Sequence, residues 1–173
     1  MLTLMIFRHA KSSWEDTSLA DFDRPLASRG IKAADAMARY MRETLPPPQR
    51  IICSPAQRAR ETLALVLPGL AGELQINMDG ALYDLGSPHA LWDHIRALEI
   101  QEQRLMLVGH NPLLEQLAAL LIGSGDAADR KALATKYPTG ALAVITFDAK
   151  SWAAVEPGSG DLVSFVQPRS LTG

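Results

Sequence analysis

Three short apolar runs, each leading into a polar motif, constrain the fold of this chain more than any other feature. Residues 2–7, 51–52 and 105–108 have the continuous hydrophobicity of strands buried on both faces of a sheet. The second and third runs each precede a segment that favours a helix, and the alternation of strands and helices along the chain predicts an α/β fold with helices on both faces of the sheet. Ligands bind at the carboxyl ends of strands in such sheets. The polar residues that follow the three runs are therefore expected to form one site.

The first apolar run leads directly into Arg8 and His9. A guanidinium offers a planar fork of donors that matches phosphate oxygens. A neutral imidazole keeps one nitrogen lone pair free and can carry a covalent phosphoryl group. The pair therefore predicts His9 as a nucleophile that accepts a phosphoryl group and Arg8 as a phosphate clamp.

The second apolar run leads into Cys-Ser-Pro-Ala-Gln-Arg-Ala-Arg-Glu-Thr at residues 53–62. Proline suits the first turn of a helix, so Arg58 is expected about one turn into the helix that follows. Catalysis of phosphoryl transfer depends mostly on positioning and on positive charge at the equatorial oxygens. Arg58 is therefore a candidate second clamp, and Arg60 competes with it from a different direction on the helix.

The third apolar run leads into Gly-His-Asn-Pro at residues 109–112. His110 follows a strand and precedes a helix, which is the topological position of His9. We predict that it is a second electrostatic partner, either protonated or donating a hydrogen bond to a phosphoryl oxygen. Asn111 is predicted to be the N-cap of the helix that begins at Pro112.

Residues 8–9, 54–59 and 109–110, in this order, resemble the histidine phosphatase superfamily. The resemblance is closest to its short phosphohistidine phosphatases, the SixA-like group, to which the segment Asp-Arg-Pro-Leu-Ala-Ser-Arg-Gly at residues 23–30 is also similar. It spans roughly residues 2–147. One departure is Ala10, where the superfamily usually has glycine, and this change adds a Cβ but no charge.

The resemblance implies a three-layer αβα sandwich with a mostly parallel central sheet, the phosphoglycerate mutase-like fold, in a single domain over residues 1–173. It also implies a phosphatase that uses neither a metal nor another cofactor and that forms a phosphohistidine intermediate on His9. The pattern places the clamp at Arg58 rather than Arg60. Larger members use a carboxylate as the general acid, and Asp84 lies in a comparable region of this chain.

Three further residues are candidates for binding the substrate at the mouth of the site. Lys11 and Ser12 follow the proposed nucleophile, where an ammonium, a hydroxyl and main-chain N–H groups could reach phosphate. Arg24 lies in an Asp-Arg-Pro turn, where an ion pair within the loop competes with a contact to substrate. His89 and His94 are five residues apart and do not share one helix face, so their spacing does not favour a zinc site.

Composition narrows the functional class. The 173 residues are 47% hydrophobic and 21% charged with a formal net charge of −2, which argues against a general nucleic-acid-binding protein. No apolar run approaches the roughly 20 residues of a membrane span, and a cleaved leader would remove His9. A single cysteine fits a reducing compartment, so we expect a cytoplasmic protein without nucleic-acid or membrane partners.

The sequence leaves several functions open. The substrate is either a phosphorylated protein, with phosphohistidine favoured, or a small phosphate ester handled by a phosphomonoesterase or mutase of the same superfamily. A phosphate-binding module without turnover is a third class, although binding alone would not need two histidines. A cysteine phosphatase built on Cys53 is disfavoured because only four residues separate it from Arg58, where such enzymes have five.

Periodicity and turn residues predict the remaining elements. A helix is expected over residues 29–44, and another over residues 88–98 with Ser87 as its N-cap. A short strand is expected over residues 75–78 and a helix over 113–122. Residues 123–126 are predicted to be a loop, and the late runs 141–147 and 161–166 are predicted to be strands of a hairpin.

Overall fold

All seven strands of the computed structural model, which describes residues 1–172, belong to one sheet. Their order across the sheet is β3-β2-β4-β1-β6-β7-β5. Four of the six neighbouring pairs are parallel, while the pairs β1–β6 and β6–β7 are antiparallel. The predicted mostly parallel sheet is therefore confirmed, as is the late hairpin. The strands are β1 (Leu2–Arg8), β2 (Arg50–Cys53), β3 (Gln75–Met78), β4 (Arg104–Gly109), β5 (Ile122–Gly125), β6 (Leu142–Phe147) and β7 (Gly160–Val166).

Helices cover both faces of this sheet and complete the predicted three-layer sandwich. Helices α1 and α2 pack on one face, and α4, α5 and α6 pack on the other. The helices are α1 (Ser28–Thr44), α2 (Gln57–Val66), α3 (Ala81–Asp84), α4 (Pro88–Ala97), α5 (Leu113–Leu121), α6 (Ala127–Thr135) and α7 (Arg169–Thr172). Within residues 1–172 no helix combines the length and the apolar character that crossing a bilayer requires.

The central strand β1 supplies the core of both layers. Successive side chains of a strand point to opposite faces. Leu4 and Ile6 accordingly pack with α4 and α5, while Met5 and Phe7 pack with α1 and α2. All four side chains are buried, which explains why the sequence of β1 is a continuous apolar run rather than an alternating one.

Strand register brings the three polar motifs to one edge of the sheet. Arg8 at the end of β1 is level with Gly109 at the end of β4, and Cys53 at the end of β2 is level with Val108. The pairing continues beyond the strands, because the His9 N–H donates to the Gly109 carbonyl at 2.9 Å. The Ser54 N–H likewise donates to the Val108 carbonyl at 2.9 Å. The residues that follow the three strands therefore leave the sheet at the same level along the strand direction.

One local prediction is wrong, and another is confirmed. Residues 123–126 do not form only a loop, because Ile122–Gly125 is the edge strand β5, parallel to β7. Its glycines allow the close packing: a Cβ on Gly123 would lie 1.9 Å from the Gly158 carbonyl oxygen. Ser87 caps α4 as predicted, its hydroxyl accepting from the Ala90 N–H.

Asn111 is not the N-cap of α5. The cap position is Pro112, which follows a cis peptide bond, and no side chain caps this helix. The Asn111 amide instead donates to the Tyr137 carbonyl at 3.0 Å and to Glu115 at 3.2 Å. The residue therefore ties the start of α5 to the segment that precedes β6.

Candidate active site

The His9 imidazole is held in one tautomer. Its Nδ1 lies 2.7 Å from the Ala10 carbonyl oxygen, which can only accept, so Nδ1 carries the proton. The other ring nitrogen, Nε2, is therefore unprotonated, and its lone pair accepts a hydrogen bond from Arg58 Nε. The side chain is buried, with only 6% of its surface exposed. The loop that follows is fixed as well, since the Ala10 N–H donates to the Thr62 hydroxyl at 3.0 Å.

Arg58 lies directly against the reactive edge of His9. It projects from the first turn of α2, and its Nε is 3.4 Å from His9 Nε2. The side chain is buried, whereas Arg60 is exposed and donates to the Pro55 carbonyl at 2.8 Å. Only Arg58 of the two is positioned to contact a group bound at His9.

His110 completes the opposite wall. Its ring centroid is 5.1 Å from that of His9, and its Nε2 lies 2.7 Å from the Ser54 hydroxyl. Its Nδ1 is buried without a hydrogen-bond partner among the described residues. A buried polar atom without a partner costs free energy, and a phosphoryl oxygen would satisfy it.

Arg8 is held in the site by the segment that precedes β6. Its Nη1 donates to the Tyr137 carbonyl at 2.8 Å, and its buried Nε has no hydrogen-bond partner within residues 1–172. The Tyr137 carbonyl also accepts from Asn111, so one main-chain oxygen orients both side chains. The structure thus brings His9, Arg8, Arg58 and His110 together at one edge of the sheet.

Burial keeps both histidines neutral. Desolvation lowers the pKa of His9 to about 3, and the neighbouring charges of His110, Arg58 and Arg8 act in the same direction. Desolvation likewise lowers the pKa of His110 to about 4, with Arg58 and Arg8 contributing. A neutral imidazole is the form that can attack phosphorus, which is the form that the predicted role of His9 as a nucleophile requires.

Asp21 and Tyr83 are site residues that the sequence analysis did not find. The Asp21 carboxylate accepts from Arg58 at 3.0 Å, from the Tyr83 hydroxyl at 2.9 Å and from Arg24 at 3.1 Å. Burial alone would raise the pKa of Asp21, but these hydrogen bonds outweigh it and leave the pKa lowered. The Tyr83 ring meets His110 edge-on, with centroids 5.4 Å apart. Only the acidic Asp-Phe-Asp turn offered a sequence signal, and it did not indicate a partner.

The predicted mouth residues separate into two groups. Arg24 is buried and donates hydrogen bonds within its own loop, to the Ser13 carbonyl, the Asp21 carboxylate and the Ser12 hydroxyl. Its guanidinium also lies over the exposed Trp14 ring. Ser12 is also buried and accepts one of these bonds. Lys11 instead lines a cleft beside the site. The direct roles of all three toward substrate stay predictions.

Asp84 lies at the end of α3, next to Tyr83, with an exposed side chain. It makes no hydrogen bond with His9, Arg8, Arg58 or His110. Its assignment as the general acid therefore stays a prediction. Cys53 is buried and its thiol faces the Ser54 carbonyl, and burial raises its pKa to about 12. A protonated thiol of this kind is a poor nucleophile, which removes the support for a cysteine phosphatase.

No group of three or more histidine, cysteine or acidic side chains in residues 1–172 is placed to hold a metal ion. His94, one of the two histidines considered for zinc, contacts Asp79 at 2.7 Å. The two arginines place positive charge close to His9.

Comparison with known proteins agrees with this geometry. The family model of the histidine phosphatase superfamily (branch 1) matches residues 4–86. An uncharacterised protein of Mycobacterium tuberculosis is 38% identical over 164 residues, which cover 94% of this chain and 99% of that protein. An uncharacterised chloroplastic protein of Arabidopsis thaliana is 30% identical, over 96% of this chain and 78% of that protein. The chain belongs to the histidine phosphatase superfamily, and this membership supports a phosphatase-type hydrolase.

Solved structures show the same fold over almost the whole chain. A candidate phosphohistidine phosphatase SixA from Agrobacterium tumefaciens is 27% identical with a TM-score of 0.78, covering 96% of this chain and 99% of that one. The protein histidine phosphatase SixA in complex with tungstate is 22% identical with a TM-score of 0.77, covering 98% and 99%. The second likeness concerns the fold alone.

Proposed function

We propose that this protein is a metal-independent phosphohistidine phosphatase that works through a phosphorylated His9. The observation that carries the proposal is the fixed tautomer of His9. The Ala10 carbonyl holds the proton on Nδ1, and the lone pair of Nε2 faces Arg58. A nucleophilic lone pair and a phosphate-binding guanidinium are therefore adjacent in the site.

In the first step, His9 Nε2 attacks phosphorus and forms a P–N bond. The bond between phosphorus and the leaving imidazole of the substrate breaks, and its electron pair stays on the leaving nitrogen. A substrate imidazole protonated on its other nitrogen departs neutral, and His9 becomes the phosphorylated imidazolium. Donor and acceptor are chemically alike, so this transfer needs no additional acid.

In the second step, water attacks the phosphorus of phosphorylated His9. The P–N bond breaks, its electron pair returns to Nε2, and dihydrogen phosphate leaves with both protons of the water. The proton on Nδ1 takes no part in either step and stays hydrogen-bonded to the Ala10 carbonyl. His9 is restored in the tautomer that begins the next cycle.

The surrounding donors stabilise the phosphoryl group in both steps. Arg58 and Arg8 can face its equatorial oxygens, and the unpartnered His110 Nδ1 offers a further polar contact. Their positions are fixed before substrate binds, by Asp21, the Tyr137 carbonyl and the Ser54 hydroxyl respectively. Preorganised charge of this kind is the largest contribution to many enzymatic rates.

Two features favour phosphohistidine over a phosphate ester. The exposed Asp84 makes no hydrogen bond with the nucleophile or the clamps, and a protonated imidazole leaving group needs less help from an acid than an alkoxide does. The candidate SixA of Agrobacterium tumefaciens matches this chain almost end to end. A small-molecule phosphomonoesterase of the same superfamily is the competing outcome.

The test compares a synthetic phosphohistidine peptide with a panel of sugar, nucleotide and aryl phosphates. We expect the phosphohistidine peptide to have the highest kcat/KM and acid-labile label to appear on His9 in rapid-quench peptide mapping. His9→Ala should lose nearly all turnover, while the exposed His89→Ala serves as the matched control. A higher kcat/KM for an alkyl phosphate than for the phosphohistidine peptide would contradict the proposed substrate. Label on another histidine would contradict the assignment of His9 as the nucleophile.

Metal independence is tested separately. We expect activity to survive exhaustive chelation, and vanadate to inhibit competitively because it imitates the transferring phosphoryl group at the arginines. Activity that is lost on chelation and restored by a divalent cation would contradict this part of the proposal.

A further inference from the structure

A cleft of about 490 Å³ lies beside the active site, and the catalytic steps do not use it. Its walls come from the loop after His9, the first turns of α1, the segment after α6 and the start of α7. Five cationic side chains line it, and no carboxylate side chain does: Lys11, Arg29, Lys32, Lys136 and Arg169. The whole chain has a net charge of −2, so this local excess of positive charge is not a property of the surface in general.

These five cations are unpaired within the described part of the chain. Each of the seven salt bridges found in residues 1–172 joins other residues. Four of the five side chains are exposed, and Lys11 is half-buried. Like charges gathered around one cleft repel each other, and an anionic partner would relieve that repulsion.

The floor of the cleft is largely apolar. Ala33, Pro138 and Pro168 contribute to it, together with the methylene stems of the cationic side chains. A site for a small anion would need buried, directed donors, and the exposed cations of this rim are not of that kind. An apolar floor with a flexible cationic rim instead suits a peptide that places an apolar side chain between carboxylates.

The cleft and the active site share two segments of chain. Lys11 lies two residues after His9, so their Cα atoms are at most about 7.6 Å apart. On the other side, the Gly140 N–H donates to the carbonyl oxygens of Arg8 and His9, at 3.1 and 2.9 Å. Thr139 and Pro138, which precede it, line the cleft. A polypeptide with its phosphorylated histidine at His9 could therefore continue into the cleft within a few residues.

We propose that this cleft binds an acidic, partly apolar segment of the phosphorylated protein substrate. The inference rests on the proposed function, because it specifies which polypeptides present phosphohistidine to His9. The cationic rim would raise the local concentration of acidic partners, and the effect would weaken as salt screens the charges.

The binding test needs no phosphate on the probe. The probe is a fluorescein-labelled twelve-residue peptide of repeated Glu-Asp-Leu, measured by fluorescence anisotropy. We expect it to bind wild-type protein, and we expect K32E/R169E to weaken binding about tenfold or more. The control R42E/K150E makes the same change in net charge on exposed residues outside the cleft. Equal weakening in both variants, or displacement of the probe by vanadate at His9, would overturn the proposal.

A kinetic test connects the cleft to turnover. Two phosphohistidine peptides are compared, one with a Glu-Asp-Leu extension and one with a Gly-Ser extension. We expect wild-type protein to prefer the acidic peptide in kcat/KM at low salt and K32E/R169E to lose that preference, with unchanged activity on an aryl phosphate. An absent preference in wild type refutes the cleft proposal alone. Failure to hydrolyse either peptide, with aryl phosphatase activity intact, refutes the phosphohistidine assignment instead, and the anisotropy result still tests binding to the cleft.

Discussion

Asp21 accepts hydrogen bonds from both terminal nitrogens of Arg58. Arg58 Nη1 donates to the Asp21 main-chain carbonyl at 2.6 Å, and Nη2 donates to the Asp21 carboxylate at 3.0 Å. The Nε of the same guanidinium donates to His9 Nε2 at 3.4 Å. Asp21 therefore determines which edge of the guanidinium is presented to a phosphoryl group.

Asp21→Asn should lower kcat about tenfold and leave KM for an aryl phosphate nearly unchanged. An amide keeps the size of the side chain but removes the negative charge that fixes Arg58, and hydrogen bonds to charged groups contribute about 1.5–3 kcal/mol. The neighbouring Asp23→Asn is the matched control, since Asp23 is exposed in the same turn. Equal kcat values for the two variants would show that Arg58 does not depend on Asp21 for its orientation.

Arg58→Lys should reduce kcat/KM far more than Arg60→Lys. Lysine keeps the positive charge but loses the planar fork, and removing one contact of this type typically costs about 3 kcal/mol, or on the order of a hundredfold in rate. Arg60 contacts only the Pro55 carbonyl from an exposed position, so its replacement should have little effect. Steady-state kinetics of the two variants side by side measure this, and similar losses would contradict the assignment of the clamp.

The sequence was sufficient to predict the layers of the fold and the positions of the three motifs. Apolar runs that end in Arg8-His9, Cys53-Ser54 and Gly109-His110 belong to parallel strands whose register places their ends side by side. Local spacing also distinguished Arg58 from Arg60 once the family pattern was considered, and the structure buries only the first. These features depend on the order of residues along single elements.

The residues that orient the site could not be predicted, because their contacts join distant parts of the chain. Asp21 meets Arg58 across 37 residues and Tyr83 across 62, while Arg8 meets the Tyr137 carbonyl across 129. No periodic pattern in the sequence predicts which residue an aspartate in a turn or a tyrosine in a short helix will contact. Strand β5 was missed for a related reason, since Gly-Ser-Gly has the composition of a loop and pairs only because β7 approaches it closely.

The two buried histidines should make the protein less stable as the pH falls below about 6.5. The pKa is lowered to about 3 for His9 and to about 4 for His110, from the 6.5 of an exposed histidine. Below about pH 6.5 the unfolded chain therefore binds more protons than the folded chain, so the free energy of unfolding decreases as the pH drops toward 4. Each histidine should contribute a slope that approaches about 1.4 kcal/mol per pH unit.

Urea denaturation of His9→Gln at about pH 6 and pH 5 isolates one of these contributions. We expect the variant to lose less stability than wild type across this interval, by up to about 1.4 kcal/mol. The exposed His89→Gln is the control for replacing a histidine outside the site. An unchanged slope in His9→Gln would mean that the buried imidazole accepts a proton in the folded state.

Asp84→Asn decides whether the exposed carboxylate next to Tyr83 acts as a general acid. If it protonates the leaving group, kcat/KM should fall for alkyl phosphates, whose alkoxide needs a proton, and should hardly change for an aryl phosphate with an acidic phenol. A phosphohistidine peptide should also be insensitive, because its imidazole can be protonated before the P–N bond breaks. The measurement is the ratio of wild-type to variant kcat/KM across leaving groups of graded pKa, with the exposed Asp93→Asn as control. We expect the ratio to stay near one for phosphohistidine and for the esters, because Asp84 makes no hydrogen bond with the nucleophile or the clamps. A ratio that rises with leaving-group pKa among the esters would identify Asp84 as the general acid and would favour a small-molecule monoester phosphatase.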